Sequence, residues 1–284
     1  MPDPALLRLD PSPPSCYLRA ELARAWAGQE PFDVLAAMPG EVFRSVKGRR
    51  TFRFELGGRS YFAKLHFGVG WREVLKNLLQ GRLPVIDASN ELRACVHLAR
   101  VGVATMEVAA YQSRGRNPAS RQSLIVTDEL TAHESLEDIC ERWPGQPPHP
   151  TDKHCLLTAA AETARRMHDA GVNHRDFYIC HLLRAPDSGP DGLPRLAVID
   201  LHRAQIRKRI PFRWRVRDLA ALHFSSMHVG LTLRDRLRFI RAYSRQPLRD
   251  TLRRDAELWR AVERRAAALQ RKALRRGKDT ALQS

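Results

Sequence analysis

A stretch of 24 residues, VFRSVKGRRTFRFELGGRSYFAKL (Val42–Leu65), alternates apolar and polar side chains at period two. A helix cannot gather such a pattern on one face, whereas a strand puts every second side chain on the same side. Two turn signals, Lys47-Gly48 and Gly57-Gly58, divide the stretch into three strands. Connections that short permit only antiparallel hairpins. A small antiparallel sheet is therefore expected near the front of the chain.

Around it the pattern changes. Met1 to Pro31 is rich in proline and turns helical near Glu21–Trp26, which predicts a loosely docked extension. Helical spacing marks Trp71–Leu79, and again Glu91–Arg100, with Ser89 as its cap. Thr105–Tyr111 and Ser123–Val126 read as strands. Cys140–Asp152, dense in Pro and Gly, reads as an irregular surface connection. A helix is expected over Lys153–Ala170 with Gly171 closing it, then a loop over Ala185–Pro194 and a strand over Leu196–Asp200. From Arg217 onward the pattern is helical. The expected class is α+β, with an extension over 1–40, a sheet-rich part over 41–130 and a helical part over 131–284.

Composition narrows the class of function. At 284 residues, 43% hydrophobic and 28% charged, the chain can bury a sizeable core as one large domain or two lobes sharing a cleft. No apolar run approaches the ~20 residues of a membrane-spanning helix. The N-terminus lacks the basic-then-apolar layout of a signal peptide, which predicts a cytoplasmic protein. Five cysteines without a Cys-x-x-Cys pair argue against disulfides and thiolate zinc, and predict reduced, partly buried thiols. Charge is unevenly spread: Met1 to His202 holds 25 Lys and Arg against 24 Asp and Glu, but Arg203 to Ser284 holds 23 against 7. That asymmetry points to an anionic partner, either a membrane face or an acidic protein. Nucleic acid fits worst, since no nucleic-acid motif accompanies the charge.

The chemistry concentrates in NHRDFYICHLL (Asn173–Leu183) and in Val198-Ile199-Asp200. Two carboxylates at the ends of such elements can divide two tasks, one acting on a hydroxyl nucleophile and the other holding Mg²⁺. Upstream, Lys64 falls on the third strand and Glu91 on the following helix. Taken singly, Lys64 reads as a surface charge, Glu91 as a helix-start acid, Asp200 as a turn carboxylate and His174-Arg175-Asp176 as a hydrogen-bonded turn. In this order, behind a sheet and ahead of helices, they resemble the layout of the protein-kinase-like fold, with a small antiparallel-sheet N-lobe and a larger helical C-lobe.

The chain as a whole resembles the lipopolysaccharide core heptose(I) kinase family (the WaaP or RfaP proteins). The resemblance rests on EVFRSVKGRRTFRFELGGRSYFAKLH (Glu41–His66), GVGWREVLKNLLQGRLPVIDASNE (Gly68–Glu91), NHRDFYICHLL, VIDLHRAQIR (Val198–Arg207) and RDLAALHFSS (Arg217–Ser226). It runs from about Glu41 to Tyr243. It implies ATP- and Mg²⁺-dependent phosphorylation of a heptose hydroxyl in the lipopolysaccharide inner core. By the same resemblance Asp176 is the catalytic base, Lys64 the phosphate-binding lysine, Glu91 its partner and Asp200 the metal ligand. Asp218 corresponds to the buried aspartate that steadies the catalytic loop. Thr127, Asp128, Glu129 and Leu130 correspond to the hinge where backbone groups meet adenine.

Three departures from protein kinases stand out. His181 occupies the place of the second metal ligand, where imidazole suits Mg²⁺ less well than an amide oxygen. Asp200-Leu201-His202 replaces Asp-Phe-Gly. The Ser45–Arg50 turn carries one Gly and three cations, which either offset phosphate charge or are solvated. The rival readings are a related kinase acting on Kdo, another saccharide or a protein, and a non-catalytic glycolipid-binding pseudokinase. The basic C-terminal part, with Arg209, Arg213, Arg215 and Arg217 interleaved with Phe212 and Trp214, is expected to hold the enzyme peripherally on the anionic inner membrane surface and its glycolipid.

Overall fold

The alternating stretch does fold into three antiparallel strands. The computed structural model describes residues 15–46, 48–68, 70–71, 87–117, 119–190 and 192–281. In it, β2 (Glu41–Val46), β3 (Arg49–Leu56) and β4 (Arg59–His66) form a meander. Together with β1 (Cys16–Leu18), β5 (Val108–Arg114) and β6 (Gln122–Asp128) they make one antiparallel sheet in the order β1-β5-β6-β4-β3-β2. The chain divides into two compact units, the first ending at Thr131 but including Asp200–Arg203, and the second comprising Ala132–Ile199 and the remainder from Ala204. The class is α+β.

In the first unit the alternation sends Phe52, Phe54, Tyr61, Ala63 and Leu65 to one face. That face is covered from the N-terminal side, by Leu22 of α1 (Ala20–Ala25), Trp26 after it, and Phe32 and Leu35 of α2 (Pro31–Ala37). Burying side chains of this size stabilises the unit by ~1.5–3 kcal/mol each. Residues 15–40 thus form a sheet edge and a core layer, not a loosely docked extension. Lys64, out of step with Tyr61, Ala63 and Leu65, leaves β4 on the other face. Helix α3 (Ser89–Arg100) follows the sequence expectation, but its start differs. Ser89 lies inside the helix, and the Asp87 carboxylate accepts from both its backbone N–H and its hydroxyl. The helix expected over Trp71–Leu79 and the Lys47 part of the first turn lie outside the described residues.

The second unit is mainly helical: α4 (Leu136–Glu141), α5 (Pro150–Asp169), α6 (Phe212–Ser225), α7 (Leu233–Ser244), α8 (Leu248–Arg254) and α9 (Ala256–Ala281). Small sheets join β7 (Glu134–Ser135) to β9 (Leu182–Ser188) and β10 (Pro194–Val198), and β8 (Val172–Asn173) to β11 (Gln205–Ile206). The irregular reading of Cys140–Asp152 is corrected at both ends. Ser135 caps α4 by accepting from Asp138 N–H at 3.0 Å. Pro150 opens α5, where its missing N–H costs nothing. The loop expected over Ala185–Pro194 is largely a β9–β10 hairpin, and α6 begins at Phe212, ahead of Arg217. Gly171 holds φ +77°, and a Cβ there would lie 1.8 Å from the Arg207 carbonyl oxygen, so only glycine lets β8 and β11 pair. Of the cysteines, Cys95 and Cys140 are buried, Cys155 and Cys180 half-buried and Cys16 exposed, all without disulfides. Among the described residues no helix is long and apolar enough to cross a membrane.

Candidate active site

Within the first unit, Lys64 of β4 meets two of the acids expected around it. Its Nζ donates to Glu91 Oε1 at 2.6 Å and to Asp200 Oδ1 at 3.0 Å. Glu91 sits on the first turn of α3, and its side chain is 1% exposed. Burial alone would lower the Lys64 pKa, but the two carboxylates outweigh it and hold the ammonium charged, above its ordinary value. Burial would likewise raise Asp200. The hydrogen bond from His202 Nδ1 at 2.7 Å and the charge of Lys64 instead keep it ionised, far below the usual carboxylate range. Asp200 adopts φ +58°, a left-handed conformation that a short polar side chain tolerates. Glu91 Oε2 is buried without a hydrogen-bond partner among the described residues.

Two basic side chains, one charged and one neutral, extend this group beyond the expected set. Arg49 is half-buried close enough to feel Glu91 and Asp200, and burial lowers its pKa against their pull. His66 is buried beside Arg49, His202 and Lys64; burial first, and those charges next, push its pKa down to about 3. Arg50, by contrast, donates to the carbonyls of Ala36 and Met38 at 3.0 Å and stacks on Phe52. Its charge is spent on the C-terminal end of α2. An ionised, partly exposed carboxylate such as Asp200 is a suitable oxygen donor for Mg²⁺.

Thr127 and Asp128 close β6, and Glu129 and Leu130 follow it. The Asp128 carboxylate takes both terminal nitrogens of Arg19, at 2.5 and 2.7 Å, and Glu129 accepts from Arg53 at 2.9 Å. Asp128 N–H donates to Glu107 O and Glu129 N–H to Ser60 O. Side chains here anchor the end of the strand to the β1–α1 junction and to β3, and two of the backbone donors are already engaged.

The second unit carries a group of its own. Asp218, fully buried on α6, accepts the backbone N–H groups of His174 at 2.7 Å and Arg175 at 2.8 Å. Arg175 is thereby held at φ +76°. His174 Nε2–H donates to Ile199 O at 2.8 Å, which leaves Nδ1 to accept from Asp176 N–H at 3.3 Å. His181 Nδ1–H donates to the Asp176 carbonyl at 2.7 Å, and its ring stacks on His174 at 5.6 Å. The backbone of Asp176 is thus gripped on both sides by imidazoles. Behind Asp218 lies a pair the motif did not announce, with His168 Nδ1 2.8 Å from Tyr243 Oη and Nε2 3.4 Å from the Asp218 carboxylate. Neither residue stands in a recognisable local pattern. His202, two residues after Asp200, was legible as a side chain able to hold a turn carboxylate.

Known proteins resemble this chain over most of its length. The profile of the lipopolysaccharide kinase (Kdo/WaaP) family matches residues 33–243. A lipopolysaccharide core heptose(I) kinase WaaP from Pseudomonas aeruginosa is 48% identical over 262 residues, covering 92% of this chain and 97% of that protein. One from Escherichia coli is 45% identical over 260 residues, covering 91% and 98%. A solved structure of WaaP in complex with acyl carrier protein superposes with a TM-score of 0.77 at 44% identity, covering 89% of this chain and 98% of that one. With its sheet, its Lys64–Glu91–Asp200 group and its Asp218-held loop in place, the chain belongs to the lipopolysaccharide kinase (Kdo/WaaP) family.

Proposed function

We infer that this chain is an ATP-dependent kinase that phosphorylates a heptose hydroxyl, that of heptose I, in the inner core of lipopolysaccharide. The observation that carries the reading is near-full-length identity of 44–48% to heptose(I) kinases. The decisive experiment is transfer of labelled phosphate from ATP to unphosphorylated core, followed by locating the phosphate. Transfer to Kdo, to another sugar or to protein would shift the acceptor within the superfamily. No turnover at all would favour a pseudokinase.

In this reading Lys64, kept charged by Glu91, binds the nucleotide phosphates. Asp200 is the residue to hold Mg²⁺, which when bound neutralises charge developing on the phosphoryl oxygens. Asp176 accepts the proton of the attacking hydroxyl, and its fixed backbone keeps the carboxylate in reach without reorganisation. His181 is assigned as a positioning residue: its Nδ1 is spent on Asp176, and its other nitrogen is a poor match for Mg²⁺. Thr127, Asp128, Glu129 and Leu130 are the strand end expected to meet adenine.

We also propose that the acidic partner suggested by the basic C-terminal portion is an acyl carrier protein, as for the WaaP of the solved complex. What favours it is an apolar cavity of about 220 Å³, lined by Leu136, Leu156, Leu219, Leu222, Ile240 and Val262. A space of that kind suits an acyl chain. Binding of acylated but not of unacylated carrier protein tests it. Peripheral attachment to the inner face of the inner membrane fits the same charge.

A further inference from the structure

Trp214, near the start of α6, is ringed by guanidinium groups. The Cζ atoms of Arg175, Arg207, Arg213 and Arg217 lie 5.4, 5.5, 5.4 and 5.3 Å from its ring centroid. They come from three places in the chain: the loop before Asp176, the segment after β11, and α6 itself. Arg207 and Arg213 are by this geometry no more than about 11 Å apart, so the repulsion between these two is only partly screened at physiological salt. Arg207 donates to the side-chain oxygens of Asn173 and Gln205, which are neutral. Among the described residues no carboxylate lies within ion-pair distance of Arg207 or Arg213. Burial, and then the charge of Arg213, lower the Arg207 pKa. Trp214 Nε1–H is buried with no acceptor among the described residues. Packing alone would be served better by apolar side chains around the indole, without like charges. Trp214 is half-buried under this ring rather than presented as an interfacial aromatic, while Phe212 is 48% exposed.

We propose that the arginines around Trp214 form the acceptor-side anion subsite, which grips a carboxylate or phosphate on the sugar acceptor and so presents its hydroxyl to Asp176. Guanidinium forks match the paired oxygens of both groups, and an oxyanion among them turns mutual repulsion into attraction. The place in the chain assigns the anion to the acceptor and not to the nucleotide: Arg175 immediately precedes Asp176, whereas the Lys64 group belongs to the other unit. The proposal rests on the kinase reading above and adds to it how the acceptor is recognised.

The test uses the full chain with Arg207→Gln, Arg213→Gln and the double variant; Arg175 and Arg217 are left intact because they adjoin Asp176 and Asp218. Three acceptors are compared: core oligosaccharide, the same with its phosphates removed, and the same with its carboxyl groups reduced to alcohols. Each substitution should raise the acceptor KM about tenfold, the scale of one charge-assisted hydrogen bond, with kcat and the KM for ATP within about twofold of the parent. Arg213→Lys should recover part of the loss. The defect should vanish with the acceptor that lacks the recognised oxyanion, which tells carboxylate from phosphate. An unchanged KM, or an equal rise with all three acceptors and a lowered melting temperature, overturns the subsite. If the parent enzyme transfers no phosphate to any of them, the kinase reading fails separately. Calorimetric titration of the same oligosaccharides then decides the subsite: binding abolished in the double variant upholds it, and binding unaffected by it refutes it.

Discussion

Asp218→Ala is the sharpest single perturbation of this fold. The carboxylate is fully buried and accepts two backbone N–H groups, His174 at 2.7 Å and Arg175 at 2.8 Å. Removing it strands two buried donors, each at a cost of ~1–3 kcal/mol, so the expected loss is about 2–6 kcal/mol. Against a typical total of ~5–15 kcal/mol this is severe. Arg175, freed from its clamp at φ +76°, also relaxes toward ordinary backbone and carries Asp176 with it. Asp218→Asn keeps the volume and one acceptor but turns an amide donor toward the other N–H, so roughly half the loss is expected. Urea unfolding measures the stability, and kcat with the ATP KM measures the loop. kcat should fall at least tenfold in Asn under conditions where it is folded, with the ATP KM little changed. Amide exchange at residues 174 and 175 should accelerate. An Ala variant that loses less than about 1 kcal/mol and retains full kcat would refute the clamp.

Asp176→Ala should keep the fold and ATP affinity while turnover drops by ~10²–10⁴, the range for a positioned acid–base group; turnover within threefold of the parent removes Asp176 as base. Asp200→Asn should weaken the Mg²⁺ dependence of ATP binding, whereas His181→Asn, which can still donate to the Asp176 carbonyl, should keep most activity and His181→Leu should not. The reverse ranking would exchange their roles. His66, neutral in the fold with its pKa near 3, is protonated in the unfolded chain below its ordinary value. The unfolded state therefore binds more protons as pH falls below ~6.5, and stability should decline by at most ~1.4 kcal/mol per pH unit down to about 3. Denaturation midpoints from pH 7 to 4 check this, and His66→Gln should flatten that part of the slope. Replacing the exposed Lys208 and Arg209 by Gln should weaken binding to anionic vesicles at low salt and matter little near 0.15 M, where the Debye length is ~8 Å; equal binding at low salt would make these charges a solvated face.

Features governed by local periodicity and by backbone permission could be read from the residues alone. Alternation over Val42–Leu65 is a property of neighbours, so β2, β3 and β4, and the side of β4 from which Lys64 leaves, were legible before any packing. Gly171 was legible too, because a left-handed helix end favours a residue without Cβ, although the Arg207 carbonyl that makes glycine obligatory was not. The order Lys64, Glu91, Asp176, Asp200 was readable as a layout. That Lys64 bonds both Glu91 and Asp200 was decided only by the fold, since Asp200 lies 136 residues away. Distance along the chain also hid the covering of the sheet by Leu22, Trp26, Phe32 and Leu35: their own segment looks like a Pro-rich tail until the apolar face it fills exists. The β9–β10 hairpin was missed for a related reason, since backbone pairing overrode turn-rich composition. His168 with Tyr243, and the arginines around Trp214, acquire their roles from partners on other elements. Such contacts follow from closing the chain, and no local pattern of residue types encodes them.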